Sequence, residues 1–107
     1  MFLLNAFSVN MILESPVKVR FERIPLDEVV EHLRDALVSA VGHADTAAVL
    51  TKLLGMHVEC NRYNIVLRPP DVAILGQYTG PRLPEGATTL PEGAEIRWYL
   101  VSVERCL

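Results

Sequence analysis

Two stretches of helical periodicity set back to back, PLDEVVEHLRDALVSAV and ADTAAVLTKLLG, are flanked on both sides by short apolar segments of strand character. This order constrains the fold most. In the first stretch Leu26, Val29, Val30, Leu33 and Leu37 form one apolar stripe, with Pro25 suited to an early helical position. The second carries Ala47, Leu50, Leu53 and Leu54 on its apolar face and ends at Gly55, a good helix terminator. Upstream, FLLNAFSV has the aromatic and branched content of a buried strand. VKVRFERI then alternates Val17, Val19 and Phe21 with Lys18, Arg20 and Glu22, the pattern of a half-solvated edge strand or hairpin partner. Downstream, HVEC, NIVLR and DVAILGQY are short strand candidates broken by the prolines of RPPD, and EIRWYLVSVERC reads as a closing strand. The Pro/Gly-rich TGPRLPEGATTLPEGAE between the last two is a loop with room for one helical turn. The predicted order ββααβββ implies a mixed β-sheet with helices packed on it, an α/β or α+β sandwich in one domain spanning 1–107.

Composition narrows the function classes. Half of the 107 residues are apolar, enough for a core without disulfide or metal staples. Thirteen acids against ten bases leave a formal charge of −3, which argues against a protein that coats long nucleic acid by counterion release. A small anionic ligand in a locally basic pocket is compatible with it. Cys60 and Cys106 fit neither a disulfide framework nor a paired-thiol metal site, and are expected to be reduced, buried thiols. The opening MFLLNAFSVNMIL lacks a basic start, is interrupted by Asn5, Ser8 and Asn10, and is shorter than the ~20 residues of a membrane span. The expectation is a soluble cytoplasmic protein without a membrane partner.

Metal chemistry is not expected, because His32, His43 and His57 are widely spaced and the chain has no HxH, HExxH, CxxC or Asp-x-Asp. No GxSxG and no phosphate-cradling glycine loop occurs. What remains is a polar set distributed over loops: Asn5, Ser8 and Asn10, then His43, then Asn61 and Arg62, then Arg82 and Glu85. His43 falls where SAVGH becomes helix. Two roles are open to it there: a reagent at an anion site formed by first-turn amides, or a helix-start residue bonding its own first turn.

LLNAFSVNM, SAVGHADT, NR at Asn61 and Arg62, and RLPEG at Arg82 to Gly86 occur in the order and approximate spacing of one small family. From about Leu3 to Glu104 the chain resembles the viral anti-CRISPR ring nucleases of type III immunity and their bacterial relatives. The resemblance implies a homodimer whose shared pocket binds cyclic tetraadenylate, the messenger that switches on type III CRISPR effectors, and cuts it to linear diadenylate. By motif, His43 matches the family's catalytic histidine, while Arg82 and Glu85 match its active-site arginine and glutamate. Asn5, Ser8 and Asn10 fall on its N-terminal ligand-contacting motif, and Arg62 on a further basic position. Pro84, between Leu83 and Glu85, stiffens the loop that presents Glu85.

The implied chemistry is self-consistent without metal or cofactor. A ribose 2′-hydroxyl can attack its own phosphodiester if held in line with the departing 5′-oxygen. A histidine as general acid contributes roughly 10²–10⁴-fold to such a step. Arg82 can fork two N–H bonds onto the non-bridging oxygens, and Glu85 can orient His43 or hold the attacking hydroxyl. Tyr63 and Tyr78 are aromatic residues available to stack on adenine, although packing accounts for them as well. Two other readings compete: a module that sequesters a cyclic oligonucleotide without cutting it, and a viral structural or nucleic-acid-binding protein.

Overall fold

A computed structural model describes residues 1–106. Phe2–Leu4 forms strand β1, and the chain then makes a 3-10 turn at Val9–Met11 before strand β2, Val17–Arg23. Helix α1 spans Leu26–Leu33, strand β3 Val38–Ala40 and helix α2 Ala44–Leu54. Strands β4, Val72–Thr79, and β5, Glu95–Arg105, complete the chain. The result is a single compact α+β domain with one five-stranded mixed sheet, ordered β2-β5-β4-β1-β3.

The long strands pair antiparallel, β4 with β5 from Val72 opposite Ser102 to Thr79 opposite Glu95, and β5 with β2. The short β1 lies parallel to both β3 and β4. Alternation along the strands sends neighbours to opposite faces. Leu3, Ile74 and Trp98 face α1 and α2 and pack with Val29, Leu33, Leu50 and Leu54. Leu4, Leu75, Val101 and Val103 face the other way, where the loops carrying Phe7, Ile12, Ile65 and Leu67 cover them instead of a helix. Burial of each such leucine or valine stabilises the fold by about 1.5–3 kcal/mol relative to exposure. β2, at the sheet edge, is half solvated as its alternation predicts, and Phe21 on it is 47% exposed while resting edge-on against Phe7 and Tyr99.

Three local expectations give way to the tertiary structure. The apolar stripe predicts a helix running on toward Val41, but α1 ends at Leu33 and residues 38–40 form a strand. Pairing decides this: the Val38 N–H bonds the Met1 carbonyl at 3.0 Å, and Val38, Ser39 and Ala40 align with Phe2, Leu3 and Leu4. Backbone pairing across the sheet outweighs a modest helical preference over three residues. Second, HVEC and NIVLR are not strands. Apart from the single bridges Val41 to Cys60 and Ile12 to Leu67, they run as irregular chain, and no helical turn forms in residues 80–94. Third, the thiols are free as expected but not buried: Cys60 is exposed and Cys106 is of intermediate exposure.

The irregular segment has a structural task. β3 is an edge strand, and its outer side is occupied by residues 59–61: Ser39 Oγ donates to the Glu59 carbonyl, the Asn61 N–H to the Val41 carbonyl at 2.7 Å, and Asn61 Nδ2 to the Ser39 carbonyl at 2.9 Å. The edge is thereby closed to other chains. Arg62 follows immediately and is carried with it to the start of α2.

Candidate functional site

β1, β3 and β4 run parallel, so their carboxyl ends meet on one edge of the sheet, the position where open sheets of this kind accept ligands. Asn5 follows β1, His43 follows β3 and starts α2, and Gln77 and Tyr78 close β4 before the loop of Arg82 and Glu85. These residues line one open cleft of about 890 Å³, together with Asp45, Thr46, Leu83 and Pro84. A second cavity of about 380 Å³ shares Asn5 and His43 and is lined on its far side by Arg62, Tyr63 and Asn64. His43 therefore stands at the junction of two hollows.

His43 is the N-cap residue of α2, with the extended backbone that position requires (φ −125°, ψ 129°), yet its side chain caps nothing. The helix-start role is thus not the one its ring performs. Nδ1 instead accepts from Asn5 Nδ2 at 3.3 Å. Asn5 is itself held by the Gly42 N–H, which donates to Oδ1 at 3.4 Å. On the other side of Gly42, its carbonyl accepts from Arg62 Nε at 3.1 Å, leaving the terminal nitrogens of Arg62 for a ligand. The peptide at Gly42 thus ties Asn5, His43 and Arg62 into one unit.

The loop of Arg82 and Glu85 is held at three points. Tyr78 donates its hydroxyl to the Pro81 carbonyl, the Ala87 N–H bonds the Pro84 carbonyl at 3.1 Å, and the Gly86 N–H donates to Asp45 Oδ1 at 3.1 Å. Gly86 sits at φ +80°, a conformation open to glycine at little cost. Neither Arg82 nor Glu85 enters an ion pair among the described residues, so both side chains remain available to a ligand.

Of the residues singled out from the sequence, Asn5, His43, Arg82 and Glu85 come together around one cleft, and Arg62 lines the adjoining cavity. Ser8 and Asn10 line neither. Ser8 caps the 3-10 turn, its Oγ accepting the Asn10 N–H at 3.2 Å, and both residues are exposed. Sequence reasoning missed Thr46 and Gln77 as lining residues. Gln77 carries the same signal that picked out Asn5, a polar residue leaving an otherwise apolar strand, and Thr46 lies in the first turn after His43. Among the described residues no group of three or more His, Cys, Asp or Glu is placed to hold a metal, and no helix is long and apolar enough to cross a membrane.

A family model described as STIV B116-like matches residues 1–100. The chain belongs to the STIV B116-like family. Among solved structures, the family's namesake, B116 of Sulfolobus turreted icosahedral virus, superposes with a TM-score of 0.80 at 27% identity, over 94% of this chain and 97% of that one. Among curated proteins, the uncharacterized protein YddF of Bacillus subtilis is 40% identical over 60 residues, 53% of this chain. The match spans 56% of YddF, little more than half its length. The fold of this chain is thus shared with a viral protein, and part of its sequence with a bacterial one.

Proposed function

We propose that this B116-like protein is a metal-independent ring nuclease that cuts cyclic tetraadenylate into linear diadenylate ending in a 2′,3′-cyclic phosphate. The observation that carries the reading is the joint placement of His43, Arg82 and Glu85 on one cleft, with His43 oriented by Asn5. The resemblance in sequence assigns those same positions to catalysis.

In this reading the scissile phosphate lies beside His43, where the two cavities join. The ribose 2′-hydroxyl gives its proton to solvent water as its oxygen attacks phosphorus, the bond to the 5′-oxygen breaks, and the protonated His43 ring gives that oxygen a proton from Nε2. Arg82 binds the non-bridging oxygens as charge grows on them, a contribution of about 10²–10³-fold for one well-placed donor. Glu85 holds the attacking hydroxyl or orients the imidazole. Arg62, fixed by the Gly42 carbonyl, supports an adjacent phosphate from the second cavity. The volume of the main cleft accommodates part of a nucleotide ring rather than a lone phosphate.

A homodimer completes the proposal. A two-fold axis would present two copies of each group to a four-nucleotide ring, and two cuts on opposite sides yield two dinucleotides. The protein would act in the cytoplasm, that of the host if virus-encoded, and would switch off type III CRISPR effectors by removing their messenger.

The deciding experiment incubates the purified protein with radiolabelled cyclic tetraadenylate in EDTA, wild type beside His43→Ala, and separates the products by chromatography. Diadenylate from the wild type and none from the variant supports the proposal. An intact ring with both proteins refutes it, and ring binding in that case would leave sequestration as the function.

A further inference from the structure

Residues 80–94 connect the paired strands β4 and β5 without secondary structure of their own. A connection of that length loses much conformational entropy when ordered, so the few contacts that fix it determine where Arg82 and Glu85 stand. Three of its anchors are local: Tyr78 to Pro81, Pro84 to Ala87 and Pro91 to Ala94. They shape the loop but do not place it over the cleft. Thr88 to Leu90 lie beside Val49 and Leu53, farther along α2. The remaining hydrogen bond, Gly86 N–H to Asp45 Oδ1, spans 41 residues of sequence and joins the loop to the first turn of α2, two residues from His43.

A carboxylate in the first turn suits the helix dipole but works against an anion site, because it repels phosphate and competes with it for the free amides of the helix start. The hydrogen bond to Gly86 gives it a task there. We infer that Asp45 is a positioning residue, whose Oδ1 registers the loop of Arg82 and Glu85 against His43 so that groups from two distant segments act on one phosphate. The inference rests on the function proposed above for its catalytic part. The tether itself is a property of the protein without substrate.

The test compares wild type, Asp45→Ala and Asp45→Asn. Asparagine keeps an acceptor oxygen for the Gly86 N–H but carries no charge; alanine keeps neither. In ¹⁵N-labelled protein, amide hydrogen exchange at Gly86 is expected to speed up about tenfold in Asp45→Ala, the size of one modest hydrogen bond lost, and to stay near wild type in Asp45→Asn. Ring-cleavage kcat is expected to follow the same order, with KM nearly unchanged, because the loop aligns transition-state groups more than it binds substrate. The remaining amide shifts and circular dichroism verify an intact fold.

Unchanged Gly86 exchange in Asp45→Ala would overturn the tether. Restored exchange with turnover still as low in Asp45→Asn as in Asp45→Ala would overturn the positioning role, since the charge and not the acceptor would then matter. If the wild type cuts no ring, the function proposed above falls along with the catalytic part of the inference, while Gly86 exchange still decides the tether.

Discussion

The Asn5 side chain donates from Nδ2 to Nδ1 of His43 at 3.3 Å, and it cannot freely exchange its two amide ends because Gly42 donates to Oδ1. A neutral His43 ring that accepts at Nδ1 must carry its hydrogen on Nε2. In the imidazolium both nitrogens carry one, and Asn5 can accept from Nδ1–H only by turning its amide and giving up the Gly42 bond to Oδ1. Nε2 is therefore the protonated nitrogen in either state, the arrangement a proton donor to a departing 5′-oxygen needs. Asn5→Asp leaves only acceptors beside Nδ1 and draws the neutral ring's hydrogen there. Nitrogen NMR of the ring should show the Nε2–H tautomer in wild type and the Nδ1–H tautomer in Asn5→Asp.

His43→Ala should lower cleavage by about 10²–10⁴-fold while ring binding, measured by calorimetry, changes little. His32→Ala should cut at the wild-type rate, since His32 is an exposed residue of α1 and lines no part of the cleft. Equal rates for the two variants would remove His43 from the mechanism.

Arg82→Ala should reduce kcat by about 10²–10³-fold with circular dichroism unchanged. Arg82→Lys keeps the charge without the planar fork and should fall between wild type and Arg82→Ala. A lysine variant as active as wild type would show that charge alone suffices.

Gly76 on β4 lies against Trp98 on β5. A Cβ placed at Gly76 would come within 2.7 Å of Trp98 Cζ3, and Trp98 is 7% exposed, so the ring has little room to yield. Gly76→Ala should destabilise the fold by about 1–3 kcal/mol through overpacking, seen as a lower urea midpoint. Leu50→Ala, on the buried face of α2, should cost about 2–5 kcal/mol by leaving a cavity.

Much of this fold is legible one segment at a time. The alternation of VKVRFERI, the apolar run of DVAILGQY and the closing EIRWYLVSVERC appear as β2, β4 and β5, and Gly55 ends α2 in the left-handed conformation that glycine favours. The candidate site was partly legible for the same reason. Asn5 and Gln77 are polar residues at the ends of buried strands, and His43 lies at a helix start. These are local departures from pattern that need no knowledge of neighbours. Residues such as Asp45 give no such signal, because an acid in the first turn of a helix is ordinary chemistry until the loop it holds is known.

The sequence by itself determined the element types of β2, α2, β4 and β5 and of the first turns of α1, the sign of the charge, and the residue chemistry available for catalysis. Tertiary structure alone decided that Val38–Ala40 is a strand, that loops and not a helix cover the second face of the sheet, and that His43, Arg82 and Asn5 share a cleft. The physical reason is the same in each case. β3 is three residues long and lies far from β1 in sequence, so it has no local signature strong enough to specify it. Their hydrogen bonds exist only once the parallel pairing is made, and that pairing brings the end of β1 beside the start of α2.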